Sequence, residues 1–180
     1  SWTAFTLPES ATWSDVVFGE GKFVAVAENT NTVAYSTDGI TWSSASIPDD
    51  LIGDSTSSQW QAITYGRGQF VAIAGNDRAV ATSPDGVSWT RTQALPVGDY
   101  NFVSLEYGQG RYLALERDGS TLFSFDAATW AAATSAPTQD GSTVMRWNSM
   151  KFADGIFFAT CDANGEIVGG DLNGDNTSFV

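Results

Sequence analysis

Four segments of the sequence repeat one another, and this repetition limits the fold more than any other feature. Each segment opens with an aromatic residue, passes through a turn and continues into an apolar run. The segments start 47, 42 and 45 residues apart; they are WSDVVFGEGKFVAVAE from Trp13, WQAITYGRGQFVAIAG from Trp60, FVSLEYGQGRYLALER from Phe102 and WNSMKFADGIFFATCD from Trp147. A period of about 45 residues is typical of structural units that bury their faces against one another.

Within each unit the pattern predicts four short strands. An alternating strand leads to a tight turn such as GEG or GRG, where glycine adopts a positive φ without steric cost. A nearly continuous apolar strand such as KFVAVA follows, and such a strand is buried on both faces. A third and a fourth strand complete the unit. One such sheet cannot bury both faces but a ring of sheets can, so we predict an all-β fold, a β-propeller of about four four-stranded blades.

The predicted propeller is a single domain over residues 1–180. Its repeat units lie at about 9–53, 54–97, 98–141 and 142–180. Residues 1–8, SWTAFTLP, match the fourth strand of a unit, as in TWSSASIP at 41–48. Because the fourth unit ends where its own fourth strand should begin, this N-terminal strand would complete that sheet and close a four-bladed ring. The alternative is that the four units are a segment of a larger propeller.

A seven-residue motif stands between the third and fourth strands of three units. It reads STDGITW, SPDGVSW and SFDAATW. Short Ser and Asp side chains accept N–H groups within their own turn, and a Trp ring buries a large area between sheets. We therefore interpret the motif as structural. Its residues are Ser36, Asp38, Gly39, Thr41 and Trp42, then Ser83, Asp85, Gly86, Ser88 and Trp89, then Ser124, Asp126, Thr129 and Trp130.

This motif resembles the Asp-box of BNR repeats in sialidase-like propellers. The whole unit resembles repeats of phage tail and tail-fibre proteins and of secreted bacterial propellers. The resemblance implies Asp-boxes on the rim, away from the ligand face. It also implies a non-catalytic structural or binding module of a phage virion or cell surface, located in the virion or outside the cell, that binds glycan or protein. The alternative is a glycan-processing enzyme of the glycoside hydrolase or sialidase type, or a fragment of one.

The sequence does not favour the enzyme alternative. The sialidase family uses an arginine triad, a Tyr–Glu nucleophile pair and an acid–base Asp, whereas Arg67 here occupies the tip of a GxG turn. The chain has no histidine, which is the usual general base of Ser and Cys hydrolases. We therefore expect no catalytic residues.

Charge and composition limit the partners. The net charge is −13, from 21 acidic and 8 basic residues, so we expect neither nucleic-acid binding nor membrane insertion. The expected partners are a surface glycan or other virion or surface proteins, with the chain as part of a larger chain or of a homo-oligomer. No cofactor is expected. Calcium is the alternative, because Asp171, Asn173 and Asp175 occupy positions 1, 3 and 5 of a calcium loop, although Asn176 replaces its glycine.

Ligand-binding residues are predicted in the connections between units, because loops carry recognition on rigid scaffolds. Sugar binding needs an aromatic ring beside polar groups. The candidates are Tyr100 with Asp99 and Asn101, Trp60, and Arg146. Trp60 recurs at the start of a unit, so a core position is the alternative for it. Tyr100 stands outside the repeat.

Overall fold

The computed structural model describes residues 3–28, 30–49, 58–75, 78–92, 94–133 and 146–161, together with the backbone of 167–170. Every regular element in these residues is a β-strand. The strands are β1 (Thr12–Gly19), β2 (Lys22–Glu28), β3 (Thr32–Ser36), β4 (Ser43–Ser46), β5 (Trp60–Gly66), β6 (Gln69–Ala74), β7 (Val80–Ser83), β8 (Thr90–Thr92), β9 (Phe102–Gly108), β10 (Arg111–Glu116), β11 (Thr121–Ser124), β12 (Ala131–Ala132), β13 (Trp147–Ala153), β14 (Ile156–Cys161) and β15 (Ile167–Gly170).

The strands form antiparallel sheets that follow one another along the chain. Sheet 1 contains β1–β4, sheet 2 contains β5–β8, sheet 3 contains β9–β12 and sheet 4 contains β13–β15, and strands adjacent in sequence are adjacent in space. The first strands of successive sheets pack side by side, β1 on β5, β5 on β9 and β9 on β13. Propeller blades are arranged in this way around a centre. The predicted all-β propeller is therefore confirmed.

The turn between the first two strands of each sheet is a two-residue hairpin loop. In sheet 1, Gly19 pairs with Lys22, and the two residues between them, Glu20 and Gly21, have φ angles of 47° and 71°. Positive φ at both positions is typical of a type I′ turn, which matches the right-handed twist of the flanking strands. The same signs of φ recur at the other three turns, in Arg67 and Gly68, Gln109 and Gly110, and Asp154 and Gly155.

The second strands are the most buried, as the sequence predicted. β6 and β10 each bury five consecutive residues, because one face packs on the preceding sheet and the other on the following sheet. Between sheets 1 and 2, Val24 and Val26 belong to one core cluster with Trp60 and Phe70, and all four are fully buried. β14 differs, because its residues alternate between exposed and buried. No described sheet covers its second face.

A glycine at the end of the first strand lets each of the first three sheets approach the next one closely. The next sheet places an aromatic ring directly on this glycine. A Cβ built on the glycine would lie 2.2 Å from the ring for Gly19 and Tyr65, 2.1 Å for Gly66 and Tyr107, and 2.3 Å for Gly108 and Phe152. Carbon atoms in contact normally lie about 3.5–4.0 Å apart, so a larger residue does not fit without a shift of the ring.

The sequence predicted a closed ring, but the described residues do not form one. Residues 3–8 form no strand, and sheet 4 has three strands, so the N-terminal strand does not complete it here. Sheet 4 also differs at the close contact, because Ala153 stands where the other sheets have glycine. An aromatic ring from sheet 1 would meet the Cβ of that alanine. Among the described residues the four sheets therefore form an arc, and no described sheet packs on the second face of sheet 1 or of sheet 4.

Candidate functional site

The arc has two edges, which we name the upper and the lower edge. The first strands begin and the second strands end at the upper edge, whereas the GxG turns and the Asp motifs lie at the lower edge. At the upper edge, between sheets 3 and 4, there is a cavity of about 390 Å³ that we call the groove. Its lining residues are Asp99, Asn101, Glu116, Arg117, Asp118 and Arg146.

Backbone hydrogen bonds hold the two sides of the groove together. The N–H of Arg117 donates to the carbonyl of Asn101 at 3.0 Å, and the N–H of Trp147 donates to the carbonyl of Arg117 at 2.9 Å. The second of these bonds joins sheet 4 to sheet 3. The carboxylate of Glu116 accepts the N–H of Asn101 at 3.4 Å, and burial raises the pKa of Glu116. The polar side chains of the groove therefore extend from a hydrogen-bonded backbone.

The groove contains charges of both signs. Arg117 and Arg146 are exposed, and neither forms an ion pair with another described residue. Asp99 and Asp118 are exposed as well. A guanidinium group offers several N–H donors in a fixed plane, and a carboxylate offers only acceptors. The groove can therefore donate hydrogen bonds to a ligand and accept them from it.

Three of the predicted ligand residues, Asp99, Asn101 and Arg146, lie together in this groove. Their role in binding stays a prediction. Tyr100 is beside them in sequence but is not one of the residues that line the groove. Its ring stacks on Phe102 with centroids 5.1 Å apart, and its hydroxyl donates to the carbonyl of Pro96 at 2.9 Å.

Trp60 lies in the core between sheets 1 and 2. Its relative exposure is 0%, so in this conformation it has no surface on which a ligand could stack. Its indole Nε1–H donates to Oδ1 of Asn31 at 3.1 Å, and the guanidinium of Arg91 lies 5.9 Å from the centre of its ring. These contacts explain the burial, because the one polar atom of the indole has a partner. The structure thus places Trp60 in the core, which is the alternative that its recurrence at the start of a unit indicated.

Three residues of the groove lining were not predicted from the sequence: Glu116, Arg117 and Asp118. They stand at the end of an apolar strand and in the short polar turn that follows it, a pattern shared with many hairpins. One signal was available. Successive antiparallel strands reverse direction, so the turn after the second strand lies at the same edge as the connection between units. Residues 116–118 are therefore expected at the same edge as Asn101.

The Asp motifs at the lower edge use their polar atoms within their own turns. Oδ1 of Asp38 accepts the N–H of Thr41 at 2.7 Å and the preceding N–H at 2.8 Å, and Oγ of Ser36 accepts the N–H of Gly39 at 2.9 Å. The indole of Trp42 donates to the carbonyl of Gly39 at 3.3 Å. The same bonds recur in the other two motifs, formed by Ser83, Asp85, Gly86 and Trp89 and by Ser124, Asp126, Ala127 and Trp130.

These hydrogen bonds also set the charge of the motifs. The backbone N–H of Thr41 is the main cause that lowers the pKa of Asp38 to about 2, and the N–H of Ser88 lowers the pKa of Asp85 to about 2. The third motif shows the same direction. Between sheets, Nζ of Lys22 donates to the carbonyl of Asp85 at 2.8 Å. The motif carboxylates thus stay ionised and act as acceptors that hold the turns.

A few charged side chains connect the first strands near the centre of the arc. Oδ2 of Asp15 accepts the N–H of Ile63 at 2.9 Å, and Nζ of Lys151 lies 2.5 Å from Oε1 of Glu106. Burial is the main cause that raises the pKa of both carboxyls, Asp15 and Glu106. Each contact joins neighbouring sheets, which gives these residues a role in holding the blades together.

The predicted calcium-loop residues Asp171, Asn173 and Asp175 lie outside the described residues. Among the residues that the structure describes, no group of three or more acidic, His or Cys side chains could hold a metal ion. The same residues contain no helix that is long and apolar enough to cross a membrane.

The family of the chain follows from the sequence as a whole. The family model described as DUF6242 beta propeller domain matches residues 1–158. The chain belongs to this family. The match confirms the propeller, but it does not confirm the resemblance to the BNR or Asp-box family. No curated protein matches the chain significantly.

Solved structures resemble this DUF6242 domain at low sequence identity. "YCF48 bound to D1 peptide" has a TM-score of 0.59 and 17% identity, over 94% of this chain and 66% of that chain. Catalytically inactive virginiamycin B lyase from Staphylococcus aureus with quinupristin has a TM-score of 0.67 and 14% identity, over 93% and 58%. The computationally designed Ika4 protein has a TM-score of 0.59 and 12% identity, over 95% and 98%. These likenesses show the fold alone, and the chain spans less than two thirds of the lengths of YCF48 and the lyase.

Proposed function

We propose that this domain is a non-catalytic binding module of a virion or cell surface, and that it recognises a surface glycan through the groove between sheets 3 and 4. One observation carries the proposal. Six polar residues line one cavity there, and two of them, Arg117 and Arg146, have exposed guanidinium groups without an ion pair among the described residues. The cavity of about 390 Å³ is within the range of small-ligand sites.

The chemistry of the groove suits a ligand rich in hydroxyl groups. Carboxylate, amide and guanidinium groups are planar, and each can form two hydrogen bonds with neighbouring hydroxyls. A hydroxyl both donates and accepts, so it can satisfy Asp118 and Arg117 at the same time. A polyanion is disfavoured, because the net charge of −13 would repel it. We therefore expect a neutral glycan, or one that carries a single carboxylate.

A protein segment is the second candidate. It is favoured by the likeness to YCF48, which is described as bound to D1 peptide, although the shared fold does not transfer that partner. Donors and acceptors in the groove could also bind the main chain of a peptide. The enzyme alternative has a weaker basis. It rests on the likeness to a lyase and on the carboxylates of the groove, and such likeness is fold-level analogy.

A glycan array followed by calorimetry on the best glycan would test the proposal. Arg146→Ala and Asp118→Ala should each weaken binding roughly tenfold or more, since each removes hydrogen bonds to a charged group. Arg67→Ala is the matched control, because it removes the same charge at the lower edge. Equal loss in Arg67→Ala and Arg146→Ala would contradict the groove as the site. Binding to peptide arrays instead of glycans would favour the second candidate, and release of a cleaved or rearranged product would favour the enzyme.

A further inference from the structure

One face of sheet 1 leaves large apolar side chains more exposed than the residues at the same repeat positions in the other described sheets. We call it the sheet-1 face; it consists of Val16, Phe18, Phe23 and Trp42. Val16 is 55% exposed, whereas the residues at the same repeat position are nearly fully buried, at 3% for Ile63, 2% for Leu105 and 3% for Met150. In those three residues the burial comes from the preceding sheet. The sheet-1 face is thus one half of an interface that occurs three times within the chain.

The close contact between sheets specifies what the other half must contain. Phe18 has the repeat position of Tyr65, Tyr107 and Phe152, each of which packs directly on a glycine of the preceding sheet. Phe18 is 57% exposed and has no such glycine. Sheet 4 does not offer one, because Ala153 occupies that position. A neighbour that fits the sheet-1 face must therefore have glycine at the end of its first strand.

Residues 3–8 are a second, independent observation. Their sequence matches the outermost strand of a unit, yet they pair with no described strand, and Phe5 is 49% exposed. They directly precede sheet 1, where the outermost strand of a preceding sheet would stand. Outermost strands in this fold pair with a third strand, as β4 pairs with β3. Residues 3–8 thus have the pattern of a strand whose three partner strands are not among the described residues.

We propose that the sheet-1 face binds one further sheet of the same repeat type, which consists of three antiparallel strands completed by residues 3–8. Its first strand ends in glycine under Phe18, and its second strand presents Val, Ile or Leu to sheet 1, as Val24 and Val26 do to sheet 2. Two of the matching solved structures, YCF48 and the lyase, extend well beyond the match, whereas the designed Ika4 protein does not. The contact repeats an established interface, so it needs no new chemistry.

An extended chain tests the proposal. Residues 12–40 are duplicated ahead of Ser1, so that residues 1–8 follow the copy as residues 41–48 follow the original. A single reporter, Val16→Cys in the original unit, is then labelled with a maleimide. The native thiol of Cys161 is buried and gives little background, and Val97→Cys, at a position that is 90% exposed, is the reference for an uncovered site. The matched control carries Gly19→Ala in the copy alone.

We expect the reporter to react as fast as the reference in the 180-residue chain, and at least about tenfold more slowly in the extended chain. The Gly19→Ala copy should restore much of the reactivity. Equal labelling of the reporter in the two chains would overturn the proposal. Protease cleavage of the added copy of residues 12–40 would also overturn it, because the copy would then not be packed on the sheet-1 face. Slow labelling of the reporter in the 180-residue chain would also overturn the proposal. If the protein then has twice the mass of one chain in solution, a second copy covers the sheet-1 face. If it has the mass of a single chain, the chain covers this face itself.

Discussion

Gly66→Ala should destabilise the protein through a single methyl group. The φ of Gly66 lies outside the left-handed region, so alanine can adopt the backbone conformation, and the change acts through its contacts alone. The new Cβ would lie 2.1 Å from the ring of Tyr107, which must move by about 1.4 Å to reach normal contact. That movement disturbs the packing of Tyr107 on Tyr112, whose hydroxyl donates to the carbonyl of Gly66 at 2.7 Å. Overpacking of this kind costs about 1–3 kcal/mol.

Urea unfolding followed by tryptophan fluorescence would measure this cost. In a domain of this size, 1 kcal/mol corresponds to a shift in Tm of about 2–4 °C. Ala153→Gly is the matched control, because no described sheet packs on Ala153, and it should cost no more than about 0.5–1 kcal/mol. Tyr107→Ala in the Gly66→Ala background removes the ring, so the two costs should not add. Unchanged stability of Gly66→Ala, or additive costs in the double variant, would refute the close contact as the reason for glycine.

Three further predictions concern the motifs and the core. Ser83→Ala removes a buried hydroxyl that accepts the N–H of Gly86 at 2.8 Å, and it should lower the free energy of unfolding by about 1–3 kcal/mol in urea titrations, with no change in β-content. Asp38 and Asp85 have a folded pKa of about 2 against 3.8 for an ordinary Asp, so they stabilise the fold above about pH 4 and lose this effect as the pH falls towards 2. The Tm should therefore fall across that window, and it should fall less steeply in the double variant Asp38→Asn with Asp85→Asn. Trp60→Ala should cost about 3–5 kcal/mol while the folded fraction binds its ligand as before, and lost binding with unchanged stability would place Trp60 in the ligand site instead.

Local patterns predicted the sheets because strand and turn signals act over a few residues. A GxG turn depends only on the φ angles of its two central residues, so the hairpin at Glu20 and Gly21 could be predicted from the local sequence. The same holds for the Asp motifs, whose hydrogen bonds stay within four residues. Continuous apolar strands predicted burial on both faces, which β6 and β10 show.

The candidate site could be predicted only in part. Asp99, Asn101 and Arg146 were proposed because they lie in irregular connections between units, and the structure brings them to one groove. Arg117 was missed because its turn looks like any polar hairpin. Its place beside Arg146 depends on the hydrogen bond from Trp147 to the Arg117 carbonyl, which joins two sheets that are far apart in sequence.

The neighbours of each sheet decided the rest. Val16 and Ile63 have the same place in the repeat and similar side chains, yet one is 55% exposed and the other 3%. The sequence determines that both belong to an apolar face, because the alternation of a strand is a local property. Whether that face is covered depends on a separate sheet, and the contact with it is made between residues that are distant along the chain. Burial of an apolar face is therefore a property of the packed sheets, and only the tertiary structure decided which face of this propeller stays open.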